Sequence, residues 1–186
     1  MYNIPSYTYI AADWDTDKSI VDTLLKWKDD PLIPISFNYV HELKQSRDTS
    51  LNCSIKKSLK ERMDICHQFI LIVGENTISC RAGSCQYCSN YNSLSRHCNK
   101  FYTASTESYI EYECRMALEK GLHIVVIYNS TTCDVKKCPE ILRHHHGVVH
   151  IPLYIEAQEP IYNYQGSQIS YKKTRKPNIY QLRYYL

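Results

Sequence analysis

Two periodicities of apolar and polar positions take turns along this chain. Short apolar runs at Tyr7–Ala12, Leu32–Phe37, His67–Gly74, His123–Tyr128 and Val148–Leu153 predict five strands. Between them, apolar residues recur at helical spacing. Ile20, Val21, Leu24 and Leu25 predict a helix running to about Lys28, and Ile55, Leu59 and Met63 stack four apart in a second. Ile110, Cys114, Ala117 and Leu118 form a third stripe, closed by Gly121, where a left-handed backbone ends a helix most cheaply. The run at His67–Gly74 is apolar on both faces, as expected of a central strand. Pro34 places the second strand at a sheet edge or displaces its start by a residue or two, because proline cannot donate to a ladder. The acidic turn Asp13-Trp14-Asp15-Thr16-Asp17 offers caps for the first helix.

Strands alternating with amphipathic helices predict an α/β domain: a parallel sheet of about five strands covered by helices on both faces, in flavodoxin-like order. In such sheets ligands bind beyond the carboxyl ends of the strands, where the strand order reverses. The loops after the first and third strands carry Asp13 to Asp17 and Glu75 onward, and Glu113 begins its helix at that same edge. Glu113 lies at the margin of its apolar stripe, between Tyr109 and Ala117. A carboxylate there is solvated in a cleft, is paired, or has a raised pKa.

The 186 residues fit one domain, read as residues 1–158 with an insertion at about 78–104 and a tyrosine-rich basic extension at 159–186. With 22 basic and 19 acidic residues the net charge is +3, too even to suggest nucleic-acid binding. The run Lys172-Lys173-Thr174-Arg175-Lys176 reads as a solvated surface. No apolar run is long enough for a membrane span and the N-terminus lacks the pattern of an export signal, so a soluble cytoplasmic protein is expected. The nine cysteines, odd in number, are expected to be reduced, with Cys53, Cys66 and Cys114 as small core residues.

Three blocks carry a family likeness: Tyr9-Ile10-Ala11-Ala12-Asp13-Trp14-Asp15; Ile55 to Met63 leading into Phe69-Ile70-Leu71-Ile72-Val73-Gly74-Glu75-Asn76-Thr77; and the helix from Tyr109 with its strand. By order and pattern over residues 7 to 129, the sequence resembles TIR-like domains, most closely the Thoeris-type anti-phage branch. The family's helix opens with an aromatic residue four positions before a catalytic glutamate, and Tyr109 and Glu113 stand in those places. The resemblance implies cleavage of NAD at its nicotinamide N-glycosidic bond, with NAD as substrate rather than resident cofactor. It also implies an ADP-ribose product, cyclised or joined to a small-molecule acceptor, that activates a separate effector protein. Glu113 is the catalytic residue so implied. Ala11, Asp13, Trp14, Asp48, Asn76 and Tyr109 are the implied substrate-binding positions, and the loop with Arg47 and Asp48 is implied in self-association. Helix capping by Asp13 and Asp15, and packing of Trp14 under its loop, stand beside those roles. A non-catalytic interaction module and a nucleoside deoxyribosyltransferase-like enzyme remain the alternative functions.

Between Thr77 and Ser105 the chain departs from that family. Cys85 and Cys88 form a C-x2-C pair, and Cys80 with Cys98, or His97, offers the remaining ligands of a tetrahedral zinc site. A loop with incidental thiols is the other reading. Cys133 and Cys138 form a wider C-x4-C pair, and His144-His145-His146 reads as a polar turn.

Overall fold

The structure, a computed structural model, describes residues 7–33, 35–40, 51–99 and 104–186. Its centre is a five-stranded, all-parallel sheet built from β1 (Tyr7–Ala11), β2 (Asn38–Tyr39), β3 (Gln68–Val73), β6 (His123–Tyr128) and β7 (Val149–Pro152). The strands lie in the order β2-β1-β3-β6-β7, which is the flavodoxin-like winding. Register is continuous across the middle of the sheet, with Ala11 beside Leu71, Val73 beside Tyr128, and Tyr128 beside Pro152. All six residues of β3 are buried, as its two-sided apolar run requires. Removing one of these side chains, as in Leu71→Ala, is expected to cost about 2–5 kcal/mol through lost burial and the cavity left behind.

Strand parity sorts the chain into two cores. Tyr9, Ala11, Phe69, Leu71 and Val126 point to one face, where α2 (Asn52–Met63) contributes Leu59 and Met63. On the same face α3 (Tyr109–Glu119) contributes Ile110, Cys114 and Ala117, and α4 (Glu140–Arg143) contributes Leu142. Ile10, Ile70, Ile72, Val125 and Ile127 point to the other face. There α1 (Lys18–Asp29) supplies Ile20, Val21 and Leu24, and α5 (Ile179–Tyr185) supplies Leu182.

The second strand departs from its expected place. The apolar run ending at Phe37 packs Ile35 and Phe37 into the core as coil, and pairing begins only at Asn38, at the sheet edge. Pro34 itself lies outside the described residues. A two-residue strand suffices because an edge strand has one neighbour to satisfy.

Two further sheets are small additions. β4 (Tyr91–Asn92) and β5 (His97–Cys98) form a short hairpin in the inserted segment, after a 3-10 turn at Cys85–Tyr87. β8 (Tyr154–Tyr162) and β9 (Gln168–Pro177) form a long antiparallel hairpin. The boundary placed at residue 158 therefore falls inside β8. After the hairpin the chain returns to the body. Asn178 Nδ2 donates to the Pro152 carbonyl at 3.0 Å, and Gln68 Nε2 donates to the Tyr185 carbonyl at 2.7 Å. Among the described residues no helix is long and apolar enough to cross a membrane.

Candidate functional site

The helix that carries Glu113 is fixed at both ends by its own sequence. Ser108 Oγ accepts from the Glu111 backbone N–H at 3.2 Å, and Glu111 Oε2 accepts from the Ser108 N–H at 2.7 Å, a capping box. At the other end Gly121 has φ +63°, its N–H reaches the Leu118 carbonyl, and the Leu122 N–H reaches the Ala117 carbonyl. That is a Schellman ending, and it needs a residue tolerant of the left-handed region. With the ends set, the face bearing Ile110, Cys114 and Ala117 packs on the sheet and carries Glu113 inward with it.

Glu113 is 6% exposed. Its Oε1 accepts a hydrogen bond from the hydroxyl of Tyr9, a fully buried residue of β1, at 2.5 Å. Burial pushes the Glu113 carboxyl up to about 7, against the smaller downward pulls of the Tyr9 hydrogen bond and of the Arg62 charge. Arg62 reaches this region from α2 and is itself buried. The phenol of Tyr9 is raised well above its ordinary value, by burial first and by the neighbouring carboxylate next, so Tyr9 is a donor at all physiological pH. The arrangement can hold a proton at neutral pH, or present a carboxylate in surroundings that screen it poorly.

A second buried carboxylate lies just beyond the carboxyl ends of β1 and β3. Asp17 is 2% exposed and its Oδ2 makes no hydrogen bond. Burial, then the charges of Asp13 and Glu75, push its carboxyl up to about 6. It lies so close over Gly74 that a β-carbon there would come within 2.1 Å of Oδ1. The Gly74 N–H turns instead to Thr77 Oγ1 at 2.9 Å.

The expected binding residues divide. Ala11 is buried at the end of β1 on the Glu113 face. Asp13 is bound up in its own turn, accepting from the Asp15 N–H at 3.2 Å and the Thr16 hydroxyl at 3.0 Å. The cap position of α1 belongs to Asp17, whose side chain makes no capping bond. Trp14 is 40% exposed rather than packed away under its loop. Asn76 is exposed, with its carbonyl accepting from Ser79 and Cys80. The Tyr109 hydroxyl donates to Asn52 Oδ1 at 2.9 Å, and its N–H to the Ala82 carbonyl at 2.7 Å, tying α3 to α2 and to the insertion. Asp48, with Arg47, lies outside the described residues.

The four cysteines offered for zinc also divide. Cys80 packs against the core cluster on the Glu113 face, and Asp13, Asp15 and Glu113 are the charges that bear on its thiol. Cys85 and Cys98 are buried outside both core clusters. Cys53, expected in the core, is in neither cluster and feels the Cys98 and Cys85 thiols. His97 is exposed and turned toward the Ser95 carbonyl. Among the described residues no three His, Cys, Asp or Glu side chains stand converged to hold a metal ion.

An open cleft of about 700 Å³ lies against the insertion and the start of α3, lined by Arg81, Tyr87, Glu107, Glu111, Glu140 and Ile141 among others. Glu113 is not part of its lining. Sequence reasoning missed Tyr9, Asp17 and Arg62 as members of the buried polar set. Only Tyr9 left a readable signal, through its odd parity with Ala11 on β1.

Compared with protein-family models and with curated proteins, the sequence finds no match. The chain is a single flavodoxin-like α/β domain, with a buried glutamate joined by a hydrogen bond to its first strand.

Proposed function

We propose that this chain is a TIR-like enzyme that cleaves the nicotinamide N-glycosidic bond of NAD and makes an ADP-ribose-derived signal for anti-phage defence. The observation that carries the reading is the buried Glu113 carboxyl held by Tyr9. In this reaction the bond from the ribose anomeric carbon to the nicotinamide ring nitrogen breaks, and its electron pair leaves with nicotinamide. The pyridinium cation departs as a neutral molecule, so no acid is needed to protonate it. The barrier is the oxocarbenium character of the ribose, which one ionised carboxylate stabilises most where solvent is excluded. Water, a hydroxyl of the same nucleotide or a small acceptor then attacks that carbon.

Around this centre, the exposed Trp14 ring is suited to stack on a base, and Asp13 and Asn76 to bind hydroxyls at the loop edge. A separate effector that senses the product, and self-association of the chain, complete the proposal. The test is mass spectrometry of NAD incubated with the purified chain, alone and with cell metabolite extract. Release of nicotinamide with an ADP-ribose species, lost in Glu113→Gln, is the expected result. Unchanged turnover in that variant removes the assignment.

One observation favours a second reading, a non-catalytic interaction module. Glu113 is 6% exposed and does not line the open cleft. A substrate must therefore part the side chains over Glu113 before touching it. Absence of nicotinamide release at high protein concentration, with and without extract, favours that module.

A further inference from the structure

Charge is unevenly placed along this chain. Residues 1–153 carry 17 basic and 17 acidic side chains, whereas residues 154–186 carry five basic and two acidic. The whole excess of +3 therefore lies beyond Leu153, in the β8–β9 hairpin and α5. An even total conceals this separation, and basic residues gathered on one element are the electrostatic footprint of a polyanionic partner. Four of the five cations, Lys172, Lys173, Arg175 and Lys176, stand on β9. Among the described residues Lys176 is the one β9 cation in an ion pair, with Glu159 Oε1 at 3.8 Å.

The register sorts the hairpin into two unlike faces. Directly opposed residues share a face, so Pro160 lies with Tyr171, Gln158 with Lys173, and Glu156 with Arg175. Alternation along β8 places Tyr162 on that same face, while Ile155, Ala157 and Ile161 take the other. On the first face Tyr162 is 57% and Tyr171 58% exposed, and Lys173 and Arg175 are exposed beside them. Among the described residues of the hairpin only Tyr154 packs against a core cluster, so neither core covers the two rings. The ribbon is fixed at both ends. Asn163 Oδ1 accepts from the Gln165 and Ser167 N–H groups at 2.9 Å each, closing the turn. At the base the Arg175 guanidinium lies 5.4 Å from the centre of the Tyr154 ring, which holds it on this face.

We propose that the hairpin face bearing Tyr162, Tyr171, Lys173 and Arg175 binds single-stranded nucleic acid. Exposed rings beside exposed cations match the two parts of such a strand: bases stack on the rings and phosphates sit on the cations. The strand must be single, because a duplex keeps its base faces stacked on one another. Stacking reads no base edge, so binding tolerates any sequence. Glu156 is the carboxylate on this face, and it stands opposite Arg175, while Lys173 is opposed by neutral Gln158. A partner drawn by charge alone, such as an acidic polypeptide, would feel Lys172 on the far face as strongly as Lys173. A polynucleotide also uses the rings, and those lie on one face.

This surface stands or falls independently of NAD chemistry. The test is fluorescence anisotropy of labelled oligothymidylate and oligouridylate titrated with the full chain at low salt. A duplex of the same length and labelled polyglutamate are titrated beside them, and phosphatidylserine vesicles are assayed by co-sedimentation. Binding of either single strand, tighter than that of duplex, polyglutamate or vesicles, is expected, and the tighter strand names DNA or RNA as the source. Tyr162→Leu and Tyr171→Leu should each weaken binding by at least about fivefold, while Tyr162→Phe and Tyr171→Phe keep the ring and the affinity. Lys173→Gln should lower the slope of log affinity against log salt by about 0.7, and Lys172→Gln, on the far face, should leave it unchanged. Melting temperatures equal to the parent's show that these losses are not unfolding. The proposal is overturned if neither strand binds at high protein concentration, or if duplex, polyglutamate or vesicles bind as tightly. Equal weakening by Lys172→Gln and Lys173→Gln, with the leucine variants unaffected, also overturns it.

Discussion

The hydroxyl of Tyr9 donates to Glu113 Oε1 at 2.5 Å, joining the middle of β1 to the second turn of α3 across residues far apart in sequence. This bond ties a carboxyl on the helix to the fully buried interior of the sheet. Burial raises the carboxyl, and the bond, which favours the ionised form, holds that rise back in part.

If Glu113 acts as a carboxylate, nicotinamide release should rise with pH through a limb near 7, the value to which burial pushes the free group. Tyr9→Phe removes the hydrogen bond that lowers this value, so the limb should move to higher pH. A pH profile of kcat/KM for the two proteins reads the shift. An unmoved limb in Tyr9→Phe would separate the titration from this pair.

Glu113 should also weaken the fold as it ionises. Its carboxyl is raised from 4.5 to about 7 in the folded chain. The native state therefore holds more protons than the unfolded chain across that interval, and stability falls as pH rises through it and levels off above. Glu113→Gln keeps an acceptor for Tyr9 and has no charge to bury. It should be more stable than the parent above pH 7, by on the order of 3 kcal/mol, with the difference vanishing near pH 4. Urea midpoints measured against pH check this, and a gain in stability joined to a loss of activity is what a functional carboxylate predicts.

Asp17 behaves alike over a lower window. Its carboxyl is raised from 3.8 to about 6, so its cost grows as pH rises from about 4 to 6 and is complete above. Asp17→Asn should stabilise the chain at pH 7 by about 2 kcal/mol. Gly74→Ala should destabilise it by about 1–3 kcal/mol, because the new methyl meets the Asp17 carboxylate and the crevice must shift to admit it. Thermal melts of the two single variants and the double test the contact. Asp17→Ala should recover most of the Gly74→Ala loss, and full additivity would show that the contact is not the cause.

The ends of α3 can be tested without touching Glu113. Ser108→Ala removes the acceptor of the capping box and should cost about 1 kcal/mol. Gly121→Ala places a β-carbon on a backbone with φ +63°, at a similar cost of about 1 kcal/mol. Denaturant midpoints measure both. Wild-type stability in both variants would show that packing against the sheet, rather than its ends, defines the helix.

The sequence by itself determined those features that arise within one segment. The apolar stripe of α3, its stop at Gly121 and the two-sided burial of β3 depend on neighbours within a few residues, and all stand where the periodicity put them. The flavodoxin-like winding was also legible, because parallel strands alternating with amphipathic helices have few ways to cover both faces of a sheet. The same local logic overreached at Leu32–Phe37, where Ile35 and Phe37 are buried as coil and do not pair. What only tertiary structure decided was every relation between distant segments. Tyr9 meets Glu113, and Asp17 closes over Gly74. The reason is physical. Periodicity reports which face a residue is on, but the partner across that face is chosen by packing, and the cost of burying a charge depends on that partner.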